Sequence, residues 1–245
     1  MNPYVAAVFW KEWKEILLQR SAGGGGLRPL IVIGVIGILA PLRLGPKQYF
    51  GPQSLVILTL VSLMAVAAVV ADAFAGERER HTLETLLASR LPDSAILFGK
   101  MSACLAYGWL TAILTIALGV ITLNVANWSG QILFFRDAAS WLCVILAPPL
   151  FGGAAAAAGV FVSLHAATVR QAQQTLTLAV LVIFLGVSFG VGALPQDVKV
   201  WFGRTLAAWS AAEVVLAASA IVLAVDVILV LAAIGRFQRS KLVLD

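Results

Sequence analysis

The feature that leaves this chain the fewest options is a series of six apolar runs, each close to the length a helix needs to cross a bilayer. A hydrocarbon core about 30 Å thick takes on the order of 20 helical residues, and inside it every backbone N–H and C=O must be paired within the protein. The runs lie at 27–44, 54–75, 102–123, 138–164, 175–194 and 211–234, with short polar breaks between them. Short alternating strands are absent, so the expected fold is an all-α integral membrane protein with six transmembrane helices, not a barrel. Composition agrees: 12% of the 245 residues are charged, against roughly 25% in an average soluble domain.

Ahead of the first run, residues 2–20 have a different pattern. Val5, Val8, Phe9, Trp13, Ile16 and Leu17 recur at helical spacing, with Lys11, Lys14 and Glu15 on the opposite side of the wheel. Trp10 and Trp13 beside basic groups suit an amphipathic helix lying in the headgroup layer. Charges placed before any apolar core depart from the order of a cleaved signal peptide, so this helix is expected to be retained. The four glycines at 23–26 then read as a hinge, because four in a row cost too much backbone entropy to stay helical unaided.

Basic residues set the expected orientation, since loops rich in Lys and Arg stay in the cytoplasm. With both termini inside, the inner segments hold twelve Lys and Arg and the outer ones five. That places the chain as a multi-pass protein of the cell's inner, cytoplasmic membrane and puts 195–210 outside. This outer segment carries Trp201, Phe202 and Trp209, leaving two readings open: short helices dipping into the membrane, or a plain interfacial loop. The run at 152–159, "GGAAAAAG", offers a face of small residues against which another helix can pack closely.

Several chemistries find no support. The glycine-rich phosphate loop of an ATPase is missing, since "GKMS" at 99–102 lacks the first glycine and follows no strand. His81 and His165 are isolated, and Cys104 and Cys143 sit inside apolar runs, so neither pair has metal-ligand spacing. No catalytic residues, directly bound cofactor, metal site or nucleic-acid partner is expected, and energy for active work has to come from elsewhere.

The segment 76–100 concentrates charge between two spans: Glu77, Arg78, Glu79, Arg80, Glu84, Arg90, Asp93 and Lys100. Leu83, Leu86 and Leu87 fall on one helical face, with Arg80 and Glu84 an i, i+4 pair beside them. Pro92 ends that short helix, and Asp93 or Ser94 can cap the next. Two readings stay open: a solvated loop whose leucines lie on the membrane, or a docking helix whose apolar ridge enters a cleft in a soluble partner.

"ERERHTLETLLASRLPDSAILFGK" resembles the signature of type-2 ABC transporter permeases, of the form E-x-E-x-G-T-L-E-x-L-L, a proline turn, then I-L-x-G-K. The match runs through Glu77, Glu79, Thr82, Leu83, Glu84, Leu86, Leu87, Ile96, Leu97, Gly99 and Lys100. His81 stands where that family usually has glycine, and Pro92 falls slightly later than the usual turn proline. The layout of an N-terminal amphipathic helix, six spans and a membrane-dipping outer segment is similar too. The resemblance implies a dimer of two identical or homologous permease chains in the lipid bilayer. It also implies a separate cytoplasmic ABC ATPase, holding ATP and Mg, that engages residues 77–87 (Glu77, Arg78, Glu79, Arg80, His81, Thr82, Leu83, Glu84, Leu86, Leu87) as a coupling helix. The implied activity is export.

Asp226 is the charge least at home in its surroundings, because an aspartate near a helix centre costs roughly 2.5–3.5 kcal/mol on insertion scales. Three roles are open for it: lining a polar pathway, binding a cation, or accepting a hydrogen bond from a Ser or Thr of a neighbouring helix or a second chain. Asp72 reads as an extension of the charged segment and Glu213 as a residue snorkelling to the outer surface. The alternative function is an ATP-independent, ion-coupled carrier or channel using Asp226. Short outer loops and apolar spans favour a lipid-like, amphiphilic or drug-like substrate.

Overall fold

A computed structural model describes residues 2–22, 27–80, 82, 90–128 and 130–236. Among them the chain forms eight helices: α1 (Pro3–Ala22), α2 (Leu27–Tyr49), α3 (Pro52–Glu79), α4 (Asp93–Ala126), α5 (Ala138–His165), α6 (Val169–Ala193), α7 (Gln196–Ala207) and α8 (Ala211–Arg236). No strand occurs among the described residues. Six of the helices, α2 to α6 and α8, are long and apolar enough to span a bilayer, as the sequence led us to expect. His81, Leu83, Glu84, Leu86 and Leu87, the ridge of the expected coupling helix, lie outside the described residues.

The centre of the bundle is α3, α4 and α5. Apolar matching alone cannot hold helices together in lipid, where tails are as greasy as leucine, so close packing of small side chains does the work. Here the alanine-rich part of α3 meets the "GGAAAAAG" stripe of α5: Val66, Val70, Ala155, Ala156, Ala157 and Val160 are all buried together. Gly159 is the tightest point, since a β-carbon there would overlap the Val70 side chain. The small-residue face expected at 152–159 therefore serves packing against α3. The outer elements are looser, with broad apolar faces exposed on α2, α6 and α8, as lipid-facing surfaces require.

Several polar side chains inside the spans are satisfied along or between helices. Ser62 of α3 donates to the Pro148 carbonyl at 3.0 Å, supporting α5 where Pro148 and Pro149 remove helical donors. Thr111 and Thr115 of α4 donate back to the carbonyls of Gly108 and Thr111, both at 2.8 Å.

Some helices run further than the expected spans: α6 begins at Val169, ahead of the expected 175, and α2 passes its expected end at 44. α2 runs on through Pro41 to Tyr49, but Gly45 breaks it with φ 73° and ψ 170°, a left-handed backbone that suits glycine. α4 runs unbroken from Asp93 through Gly99 and Lys100 into the third span, as the sequence suggested, but its N-cap is Pro92 and not Asp93 or Ser94, with Asp93 in the first turn where a carboxylate favours the helix dipole. Its 34 residues make a rod about 51 Å long, well beyond the hydrocarbon thickness. The excess leaves its first turns, with Gly99 and Lys100, beyond the centre of the bundle.

Candidate functional site

The middle of α1 and the ends of α3, α4, α5 and α6 meet around residues 76–80 and 82. α1 presents a stripe at i, i+4 and i+8, Val8, Glu12 and Ile16, all buried. It can lie this close to α4 because position 99 is glycine: a β-carbon there would stand 2.5 Å from Val8 Cβ and 3.2 Å from the Val5 carbonyl oxygen. This contact brings Glu12 over Lys100.

Lys100 is the largest fully buried side chain, 1% exposed, and its charge is compensated from two sides. Its Nζ lies 2.8 Å from Glu12 Oε1 and 2.8 Å from Glu77 Oε1, donates to the Ala73 carbonyl at 2.9 Å, and sits 5.7 Å from the centre of the Phe74 ring. Two carboxylates around one ammonium leave an excess negative charge. Lys11 offsets it from the rim, 3.2 Å from Glu12, 3.3 Å from Glu15 and 3.5 Å from Glu77. Burial pulls the Lys11 ammonium toward deprotonation, but the fields of Glu12, Glu15 and Glu77 outweigh it and raise its pKa above the ordinary value. Glu77 Oε2 is buried without a hydrogen-bond partner among the described residues, so Glu77 serves both cations through one oxygen.

The next two residues reach the other way. Arg78 Nη1 donates to the Leu164 carbonyl at 2.7 Å, at the C-terminus of α5, where unpaired carbonyls and the negative end of the dipole favour a cation. Glu79 Oε2 accepts from the Val169 N–H at 2.9 Å, the first residue of α6, where an anion is favoured for the opposite reason. Consecutive residues of opposite sign thus match opposite ends of two consecutive helices. The α6 start is fixed further by Thr168, whose Oγ1 accepts from Gln171 N at 3.2 Å, while Gln171 Oε1 accepts from Ala167 N at 3.0 Å. Arg80 pairs with Asp72 at 3.3 Å on its own helix, and Thr82 donates through Oγ1 and N to the Glu77 carbonyl. Asp72 therefore extends the charged group as the sequence suggested.

Of the residues singled out from sequence, Glu77, Arg78, Glu79, Arg80 and Thr82 gather here. Asp226 does not: it lies in α8 against Gly153 of α5, with Oδ2 2.8 Å from where a glycine β-carbon would stand. Sequence reasoning missed Glu12 and Lys11 and gave Lys100 no task. The signal was present, because Glu12 sits four residues from both Val8 and Ile16 on the buried stripe, and a carboxylate there needs a cation.

A protein-family model described as "ABC-2 family transporter protein" matches residues 44–233. The match spans most of the chain and includes Glu77, Glu79 and Lys100, while Lys11 and Glu12 precede it. Comparison with curated proteins and with solved structures gives no match. The chain belongs to the ABC-2 transporter family and is a multi-pass membrane permease subunit.

Proposed function

Starting from that membership, we propose that the chain is the membrane half of an ATP-driven exporter. Two permease chains form the pathway, and a separate cytoplasmic ATPase, carrying ATP and Mg, docks on 76–100. One observation carries the reading: Glu77, Arg78 and Glu79, three consecutive residues, fasten α1, α4, α5 and α6 to the end of α3. A push on the segment that follows cannot move α3 alone. Breaking one partner out of the buried set leaves an uncompensated charge, so the helix ends move together at lower cost than separately.

The charged end faces the cytoplasm in this reading, with both termini on that side of the inner membrane. α1 lies in the headgroup layer, its exposed Trp10 and Leu17 toward lipid. α7, with Trp201 and Phe202 exposed, lies at the outer interface.

The test is reconstitution with the partner ATPase. Glu84→Lys or Leu86→Asp weakens the complex, because both change the docking ridge. Glu77→Gln lowers transport per ATP hydrolysed, because it also loosens the helices behind the ridge. A permease that binds and couples normally in all three variants contradicts the proposal.

A further inference from the structure

Asp226 is 8% exposed, and its Oδ1 is buried without a hydrogen-bond partner among the described residues. By helix rise it lies about 15 Å from the Arg236 end of α8 and about 22 Å from the Ala211 end, inside the hydrocarbon layer. Its neighbour Gly153 lies near the middle of α5, so the two helices agree on depth.

A carboxylate at this depth needs a positive partner or a proton. The chain does not supply the partner. No Lys, Arg or His occurs in α3 between Lys47 and Arg78, in α4 between Lys100 and Arg136, or in α5 between Arg136 and His165. The same holds in α6 between Arg170 and Lys199 and in α8 between Arg204 and Arg236. A second copy of the chain has the same gaps. Small metal cations are also poorly served, because they demand several oxygen ligands at once. No group of three His, Cys, Asp or Glu suited to a metal exists among the described residues.

We propose that Asp226 is the recognition site for a lipophilic organic cation, an ammonium or phosphonium carried on an apolar body. Such an ion is weakly hydrated and needs one counter-charge, and the residues on either side of Asp226 in the chain, Val225 and Val227, are apolar and exposed. Glycine at 153 lets the carboxylate lie against the α5 backbone, since a β-carbon there would stand 2.8 Å from Asp226 Oδ2. The inference rests on the permease reading and adds the substrate class.

The experiment needs no ATPase, so its outcome is separate from that of coupling. The purified chain in lipid nanodiscs is titrated with tetraphenylphosphonium and with tetraphenylborate, an anion of the same shape, against empty nanodiscs. Wild type binds the phosphonium beyond lipid partition, Asp226→Asn lowers that affinity at least about tenfold, and borate uptake is the same in both. Replacing choline chloride with sodium chloride does not displace the phosphonium. Gly153→Ala, which puts a methyl group against the carboxylate, weakens binding too. Should Asp226→Asn fail to fold, the wild type still decides: phosphonium slows dicyclohexylcarbodiimide labelling of Asp226, mapped by mass spectrometry. No binding beyond lipid partition, equal binding by a folded Asp226→Asn, displacement by sodium, or unprotected labelling overturns the assignment. Transport coupled to an ATPase would survive each of these results.

Discussion

The two ends of the bundle are held by different kinds of bond. At the charged end, polar contacts join residues far apart in sequence: Glu12 to Lys100, Lys11 to Glu77, Arg78 to Leu164, Glu79 to Val169. At the opposite end most of them are local. Asn124 clamps Leu133 from both sides, accepting its N–H at 2.7 Å and donating to its carbonyl at 3.0 Å, and Asp137 caps α5 through Ser140. Long-range contact there is mainly aromatic, with Phe50 edge-on to Phe135, which also meets its near neighbour Trp141. Tyr49, which donates to the Ile116 carbonyl at 3.5 Å, and Thr122, which donates to the Gly37 carbonyl at 3.3 Å, are the exceptions. Local bonds stiffen a loop without linking helices. Distant ones make separate helices share a displacement.

The largest break in this contrast is Lys100→Met. It strands two carboxylates, of which Glu12 is 5% and Glu77 12% exposed, and should cost about 3–5 kcal/mol. The thermal midpoint in detergent falls, and limited proteolysis cuts α1 early. The triple change Glu12→Gln, Lys100→Met, Glu77→Gln recovers part of the loss, because no charge is then left alone. Recovery no better than the single variant would show that packing, not charge, holds α1.

Gly99→Ala comes next, at about 1–3 kcal/mol of overpacking. Its effect should be confined to α1, read as faster cleavage there while the spans stay protected. At the other end, Asn124→Ala loses the clamp on Leu133, about 1 kcal/mol. It should loosen the 127–137 loop in hydrogen exchange and leave ATP coupling unchanged, the opposite of Glu77→Gln. An uncoupled Asn124→Ala would remove the distinction between the ends.

The smallest effect is that of acid on the α5 cap. The hydrogen bonds from Ser140 hold the Asp137 carboxyl below the ordinary carboxylate value of 3.8. A lowered folded-state pKa means the cap contributes above 3.8 and is lost as pH falls through the lower folded value. Exchange protection at the start of α5 should therefore drop only in strong acid, and Asp137→Ala should show the same exposure at neutral pH.

Much of this was legible beforehand. The spans could be read because the bilayer sets their length, and the small-residue stripe because lipid offers no other way to pack α3 on α5. The charged segment stood out for the same reason. Its partners did not, since Glu12 meets Lys100 only through the approach of α1 that Gly99 permits, and no local pattern spans 88 positions. Arg78 and Glu79 looked like loop charges until the ends of α5 and α6 lay beside them. Asp226 was conspicuous in sequence, while its neighbour Gly153 lay hidden in a run of similar small residues.

α4 has a further consequence. It contains no proline, unlike α2 and α5, and runs unbroken from Asp93 to Ala126. Such a helix has no built-in hinge, so any tilt moves it as one rod. A tilt of about 10° on a rod of this length carries each tip roughly 4 Å, in opposite directions. A nudge delivered at Lys100 is thus repeated with reversed sense at Asn124, on the far face of the membrane, with nothing travelling between them.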